Sequence, residues 1–153
     1  MSHPEEKLAE LGLKLPEVAK PVAAYVPAVR TGDLVYTSGQ LPLREGTLIA
    51  TGKVGDAVTP EVAGECAQQC ALNALAAVKA EIGDLGNVKR IVKAVAFIAS
   101  TPDFTGQPQV ANGASELFGQ VFGGAGQHAR SAVGVPVLPL DAPVEIELIV
   151  EVG

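Results

Sequence analysis

The sequence predicts an α+β fold in which two long helices cover one face of a mixed β-sheet. Three observations point to it. Residues 144–152 alternate strictly, with Val144, Ile146, Leu148, Val150 and Val152 on one side and Glu145, Glu147 and Glu151 on the other. That period belongs to a strand with one buried and one polar face. Residues 60–82 and 108–122 carry apolar side chains at three- and four-residue spacing, the repeat of a helix packed along one stripe. Between them, residues 90–99 are too continuously apolar for a half-exposed strand and belong inside a sheet. Stacking the helices on the sheet is the economical two-layer way to bury all three.

Length and composition narrow the function. A chain of 153 residues is one domain, 1–153, and can bury a core without disulfides or metals. A net charge of −6 argues against a general nucleic-acid binder, which carries a basic face. Aromatics make up 4% with no Trp, which argues against a base-stacking platform. Much of the 48% hydrophobic content is Ala and Val, which allows close packing and leaves apolar surface for a partner subunit. No apolar run approaches the ~20 residues a bilayer span needs. The first residues, Met1 to Glu6, lack the basic and apolar regions of a signal peptide. A soluble, cytoplasmic protein is therefore expected.

In chain order, residues 1–20 form an N-terminal extension. A short helix is expected over 4–12, begun by Ser2 or His3 and ended by Gly12. Pro16 and Pro21 mark an extended connector. Residues 25–31 and 34–38, separated by Gly32-Asp33, read as a β-hairpin, with Pro27 placing its first strand at an edge or bulge. Residues 47–50 add a short third strand. Thr59 then caps a helix with Pro60 at its first position, and Gly83 closes it. Cys66 and Cys70 share one face of that helix and read as buried thiols rather than a metal site. Pro108 opens the second helix, with a core stripe of Val110, Ala114, Leu117, Phe118 and Val121, and Gly123 ends it.

Two strands follow, around 130–137 and 144–152, bringing the sheet to six. Their spacing alone would pair them as a hairpin. In the first, Ser131, Val133, Val135 and Val137 fall on one side and Arg130, Ala132 and Gly134 on the other. Arg130 and Glu145 thus stand out from small neighbours, on faces not committed to the core. A planar guanidinium with open space beside it suits a carboxylate.

These segments resemble the signature of the Rid/YjgF family, the reactive-intermediate imine and enamine deaminases. The resemblance rests on Ala129-Arg130-Ser131-Ala132-Val133, Leu138-Pro139 and Val144-Glu145-Ile146-Glu147, joined upstream by Tyr25 and Ser38-Gly39-Gln40. It covers nearly everything after residue 20. It implies the chorismate-mutase-like fold, with the last strand inside the sheet, and a homotrimer whose sheets pack as a barrel with sites in the clefts. On this reading the open face carries Arg130, Ala132, Gly134, Glu145 and Glu147.

The resemblance also implies chemistry. Arg130 would bind the substrate carboxylate and Glu145 would help position a water. Tyr25, Ser38 and Asn112 match other pocket residues, Gly39 offers a backbone N–H, and Ala132 acts through its backbone. The expected substrate is a 2-imino acid derived from an enamine such as 2-aminoacrylate, and the products are ammonia and a 2-oxo acid. No metal or organic cofactor is expected. Each residue also has a plainer reading: Arg130 and Glu145 as a surface or interface ion pair, Ser38 as a turn cap, Tyr25 as a rim residue, Asn112 as a solvated helix position. The chain departs from the family at His128, where Pro is usual, and at Ala132, where Cys is frequent. Two other functions compete with the deaminase, a non-catalytic carboxylate-binding or regulatory trimer and an endoribonuclease.

Overall fold

A computed structural model describes residues 3–18 and 24–153. Helix α1 spans Pro4–Glu10, and the hairpin strands are β1, Ala28–Thr31, and β2, Leu34–Thr37. Two short strands follow, β3, Leu43–Arg44, and β4, Thr47–Leu48. Then come α2, Pro60–Ile82, β5, Val88–Ala99, α3, Gln107–Phe122, β6, Ala129–Val135, and β7, Val144–Val152. The main sheet has the order β1-β2-β7-β5-β6. All its pairings are antiparallel except β5 with β6, which is parallel. Among the described residues no helix is long and apolar enough to cross a membrane.

The helices form where local chemistry favours them. The Thr59 side chain accepts from the Val62 N–H at the start of α2, and Gly83 ends it at a φ of 87°. The expected stripe on α3 is buried throughout. The core lies between α2, α3 and the inner face of the sheet, where Ile91, Ile98, Val144, Ile146, Leu148 and Val150 are buried. Strand β7 does not form a hairpin with β6. It runs between β2 and β5, so its alternation is read by neighbours on both sides.

Four expectations need correction. The sheet has five strands, not six. The segment at 47–50 pairs instead with Leu43–Arg44 in a separate ribbon. Its turn residues, Glu45 and Gly46, have φ of 54° and 82°, the two left-handed residues of a tight hairpin, and the ribbon closes on itself. The first strand begins at Ala28 and not at Tyr25, because Pro27 offers no N–H for a ladder. Helix α1 stops at Glu10, before Gly12, and His3 is its cap. Of the connector, residues 19–23, including Pro21, lie outside the described residues, as does Ser2.

The fourth correction concerns faces. Arg130 pairs in register with Ala94, which pairs with Leu148, and both partners are buried under the helices. Arg130, Ala132 and Gly134 therefore stand on the helix side of β6. Glu145 shares a rung with Phe97 and Val133 on the open side, and Val133 is 44% exposed. Arg130 and Glu145 lie on opposite faces of the sheet.

Candidate active site

Strand β6 is an edge strand, and α3 runs over its inner side. Arg130 points toward that helix and is held by it. Its Nη1 donates to Asn112 Oδ1 at 2.8 Å and to Ser115 Oγ at 3.1 Å, and its Nη2 donates to the Pro108 carbonyl at 3.4 Å. Positions 108, 112 and 115 repeat at helical spacing, so one face of α3 supplies all three acceptors. Arg130 makes no salt bridge among the described residues, so within one chain it is not a surface ion pair. A guanidinium has five N–H donors. Nε and one Nη2 hydrogen donate to nothing among the described residues, which leaves two donors for the two oxygens of a carboxylate.

The contacts continue beyond the arginine. Ser115 Oγ lies 2.8 Å from His128 Nε2, and His128 Nδ1 lies 2.6 Å from the Gly126 carbonyl oxygen. The imidazole stands edge-on to the Phe118 ring, with centroids 5.4 Å apart. Asn112, Ser115, His128 and Arg130 share an open groove of about 370 Å³. A larger hollow, about 970 Å³, lies elsewhere, between residues 12–18 and α2. Within it Arg44 Nε donates to Gln69 Oε1, Gln69 Nε2 donates to Asn73 Oδ1, and Asn73 Nδ2 donates to the Leu41 and Leu43 carbonyls. The open groove is the one that holds Asn112 and Arg130 of the expected residues.

The second group of residues gathers on the opposite face. Between the pairings Tyr36–Ile149 and Gln40–Ile146, the chain takes four residue steps on one side and three on the other. That extra residue is a bulge at Ser38-Gly39, a device that re-aims side chains beside sites. The Ser38 hydroxyl donates to the Val26 carbonyl at 2.6 Å, which ties the Tyr25 segment to the bulge. A Cβ on Gly39 would lie 2.8 Å from both Cδ and Oε2 of Glu145, so only glycine lets the backbone meet that carboxylate. Burial pushes the Glu145 carboxyl above its ordinary range, and the neighbouring Glu147 charge adds to the push. Tyr25 is 52% exposed at the rim.

The expected site residues thus fall into two clusters. Tyr25, Ser38, Gly39 and Glu145 form one, and Asn112 and Arg130 the other. Ala132 lies two residues from Arg130 on the same face and packs on the core. Arg130 and Glu145 are two strands apart and three rungs along, so roughly 14 Å of sheet separates their backbones. Sequence reasoning missed Ser115. Its signal was present: it lies one helical step beyond Asn112, on the face that overlies Arg130.

Other reactive groups are occupied. Both cysteines are free and buried; burial pushes the Cys66 thiol up to about 11 and holds the Cys70 thiol well above its usual value, so neither is a ready thiolate. His3, Glu5 and Asp84 converge, but His3 Nδ1 caps α1, its Nε2 meets Asp84, and Glu5 pairs with Lys79. That cluster fastens the N-terminal helix.

Comparison with known proteins places this geometry in a family. Residues 5–152 match the family model described as "YjgF/chorismate mutase-like, putative endoribonuclease". A Trypanosoma cruzi protein named TCP17 is 44% identical over 147 residues, covering 95% of this chain and 92% of that protein. A 2-iminobutanoate/2-iminopropanoate deaminase of Dermatophagoides farinae is 35% identical, covering 90% and 93%. A crystal structure from Shewanella oneidensis, titled a "putative endoribonuclease", superposes with a TM-score of 0.96 at 32% identity and covers 99% of this chain and all of that one.

Proposed function

The chain belongs to the YjgF/RutC family, and from that premise we propose that it hydrolyses short-lived 2-imino acids of the 2-aminoacrylate type to 2-oxo acids and ammonia. The observation that carries this reading is the Arg130 guanidinium, braced by α3 on one side and with two N–H groups left for a ligand. A relative that shares 35% identity is named a 2-iminobutanoate/2-iminopropanoate deaminase.

The chemistry asks little of the protein. The enamine tautomerises to an imine, whose carbon is already electrophilic. Arg130 holds the substrate carboxylate, which fixes the imine carbon in one place and makes attack effectively intramolecular. Glu145, with its raised proton affinity, takes a proton from water as oxygen bonds to that carbon. Glu145 hands that proton to the imine nitrogen as the C=N bond opens, giving a carbinolamine. The carbinolamine hydroxyl's own proton then passes to nitrogen as C=O forms and the C–N bond breaks, and ammonia leaves a 2-oxo acid behind. Gly39 gives the backbone close access to the Glu145 carboxylate.

On one chain the two clusters face away from each other, so the proposed site is completed by a second copy. The Arg130 groove of one protomer meets the Glu145 cluster of its neighbour. Support comes from the open sheet face, where Val29, Tyr36 and Val133 are exposed large apolar side chains. The resemblance read in the sequence implies three copies in a ring.

An endoribonuclease would need acid–base groups for RNA cleavage. The chain has two histidines: His3 caps α1, and His128 is bonded through both ring nitrogens. With a net charge of −6, that favours the small-carboxylate reading. The test is ammonia release from 2-aminoacrylate generated in situ. The wild-type protein should release it, and Arg130→Ala should lose at least about 100-fold in kcat/KM, the weight of a charge-assisted fork. Unchanged release by the variant would remove Arg130 from the site.

A further inference from the structure

We propose that Ser115 and His128 are positioning residues for the carboxylate anchor, forming with Gly126 a relay of hydrogen bonds that leaves the Arg130 fork a single orientation. The proposal rests on the reading of Arg130 as the group that holds the substrate carboxylate.

The proton positions follow from the partners. The Gly126 carbonyl can only accept, so His128 Nδ1 carries the hydrogen of that 2.6 Å contact. In the neutral ring this leaves Nε2 with a lone pair. Ser115 Oγ, 2.8 Å away, must then donate to it. A serine hydroxyl has one hydrogen, and here it is spent on the imidazole. What remains on Oγ is lone pairs, and one of them accepts from Arg130 Nη1 at 3.1 Å. Without His128 the hydroxyl could turn back to a helix carbonyl, as mid-helix serines do, and release the arginine. Asn112 holds the other Nη1 hydrogen, so Nη1 is fully used facing the helix and the unspent donors are Nε and one hydrogen of Nη2.

The frame around the relay is tight. A Cβ on Gly126 would lie 2.1 Å from the Phe118 carbonyl oxygen, so the turn carrying the accepting carbonyl is pressed onto α3. Phe118 stands edge-on to the imidazole and limits its rotation. Every member lies between Asn112 and Arg130 of one chain, so the device is intact before any second copy arrives.

The experiment compares pyruvate affinity by NMR titration, ammonia-release kinetics, and the ring ¹⁵N spectrum of His128. Ser115→Ala and His128→Leu should weaken pyruvate binding about tenfold, the scale of a hydrogen bond to a charged group. KM should rise more than kcat falls, because a carboxylate anchor acts alike on ground and transition states. Ser115→Thr and His128→Gln, which keep the hydroxyl and an acceptor at the Nε2 position, should stay within about threefold of wild type. The wild-type spectrum should show the Nδ1–H tautomer, and Ser115→Ala should shift it toward a mixture. If Arg130→Ala loses pyruvate while Ser115→Ala and His128→Leu bind it as wild type does, the relay is overturned and the anchor stands. If Arg130→Ala binds as tightly as wild type, or wild type binds no pyruvate, the anchor itself falls and the relay's role goes with it.

Discussion

Gly39 meets Glu145 so closely that one methyl group would part the backbone from the carboxylate. An alanine at 39 would place its Cβ against the end of the Glu145 side chain, not against backbone. That end can swing aside, so Gly39→Ala should fold with nearly wild-type stability while its ammonia release falls by about 100-fold, the lower end of general-base losses. Equal losses of stability and activity would show that Gly39 serves the fold alone. Glu145→Gln should lose about 10²–10⁴-fold in activity if the carboxylate is the base. Its stability should move the other way. A carboxyl whose folded pKa is raised is harder to ionise in the folded state, so stability falls as pH rises from the unfolded value toward the folded one, and the cost is complete above it. Glu145→Gln removes that cost. It should melt above wild type at neutral pH, and the difference should vanish below the ordinary glutamate range. Both residues were legible in the sequence, and Glu145 lies on the open face its alternation gave it, but the face of Arg130 was not legible. In β6 the valines look like the core side and the Arg-Ala-Gly row like the open one. The structure turns them over, because α3 offers the acceptors of Asn112 and Ser115 to the polar row and leaves Val133 outside. Period-2 alternation says which residues share a side, not which side is covered.

At the scale of elements, the helices were the most readable part. Thr59-Pro60 and Gly83 bound α2 because capping is a local matter of spare N–H groups and left-handed backbone. How near the helices come to each other was not readable. A Cβ on Gly113 would lie 2.1 Å from the Gly64 carbonyl oxygen, so α3 and α2 touch backbone to backbone there. Neither side can yield as a side chain would. Gly113→Ala should therefore cost about 3 kcal/mol in urea unfolding, the upper range for overpacking, despite alanine's better helix propensity. A stability equal to wild type would mean the helices can part without loss. The strand order was also hidden from the residues. Proximity in sequence pairs β6 with β7, and only the family resemblance moved the last strand inward. Between them Leu140 and Asp141 both adopt left-handed φ, 59° and 61°, in a connection that carries the chain past β5 instead of folding it straight back.

For the whole molecule, the opposed faces of Arg130 and Glu145 make a prediction that no single chain can satisfy. If each site takes its arginine from one protomer and its glutamate from the next, two inactive variants should repair each other. A 1:1 mixture of Arg130→Ala and Glu145→Gln chains, unfolded together and refolded, places an intact arginine half opposite an intact glutamate half in about a quarter of the sites, whatever the size of the closed ring. Ammonia release should recover to about that fraction of wild type. Chains mixed without unfolding should stay inactive for as long as the assembly does not exchange subunits. Were both residues drawn from one chain, every site in the mixture would lack one of them and no activity would return. Val29, Tyr36 and Val133 are exposed on the open face of one chain, and on the proposed shared site they are the side chains a second copy would cover. A charge there, as in Val133→Glu, should separate the protomers in sedimentation and abolish turnover together, although Val133 touches neither the Arg130 fork nor its relay.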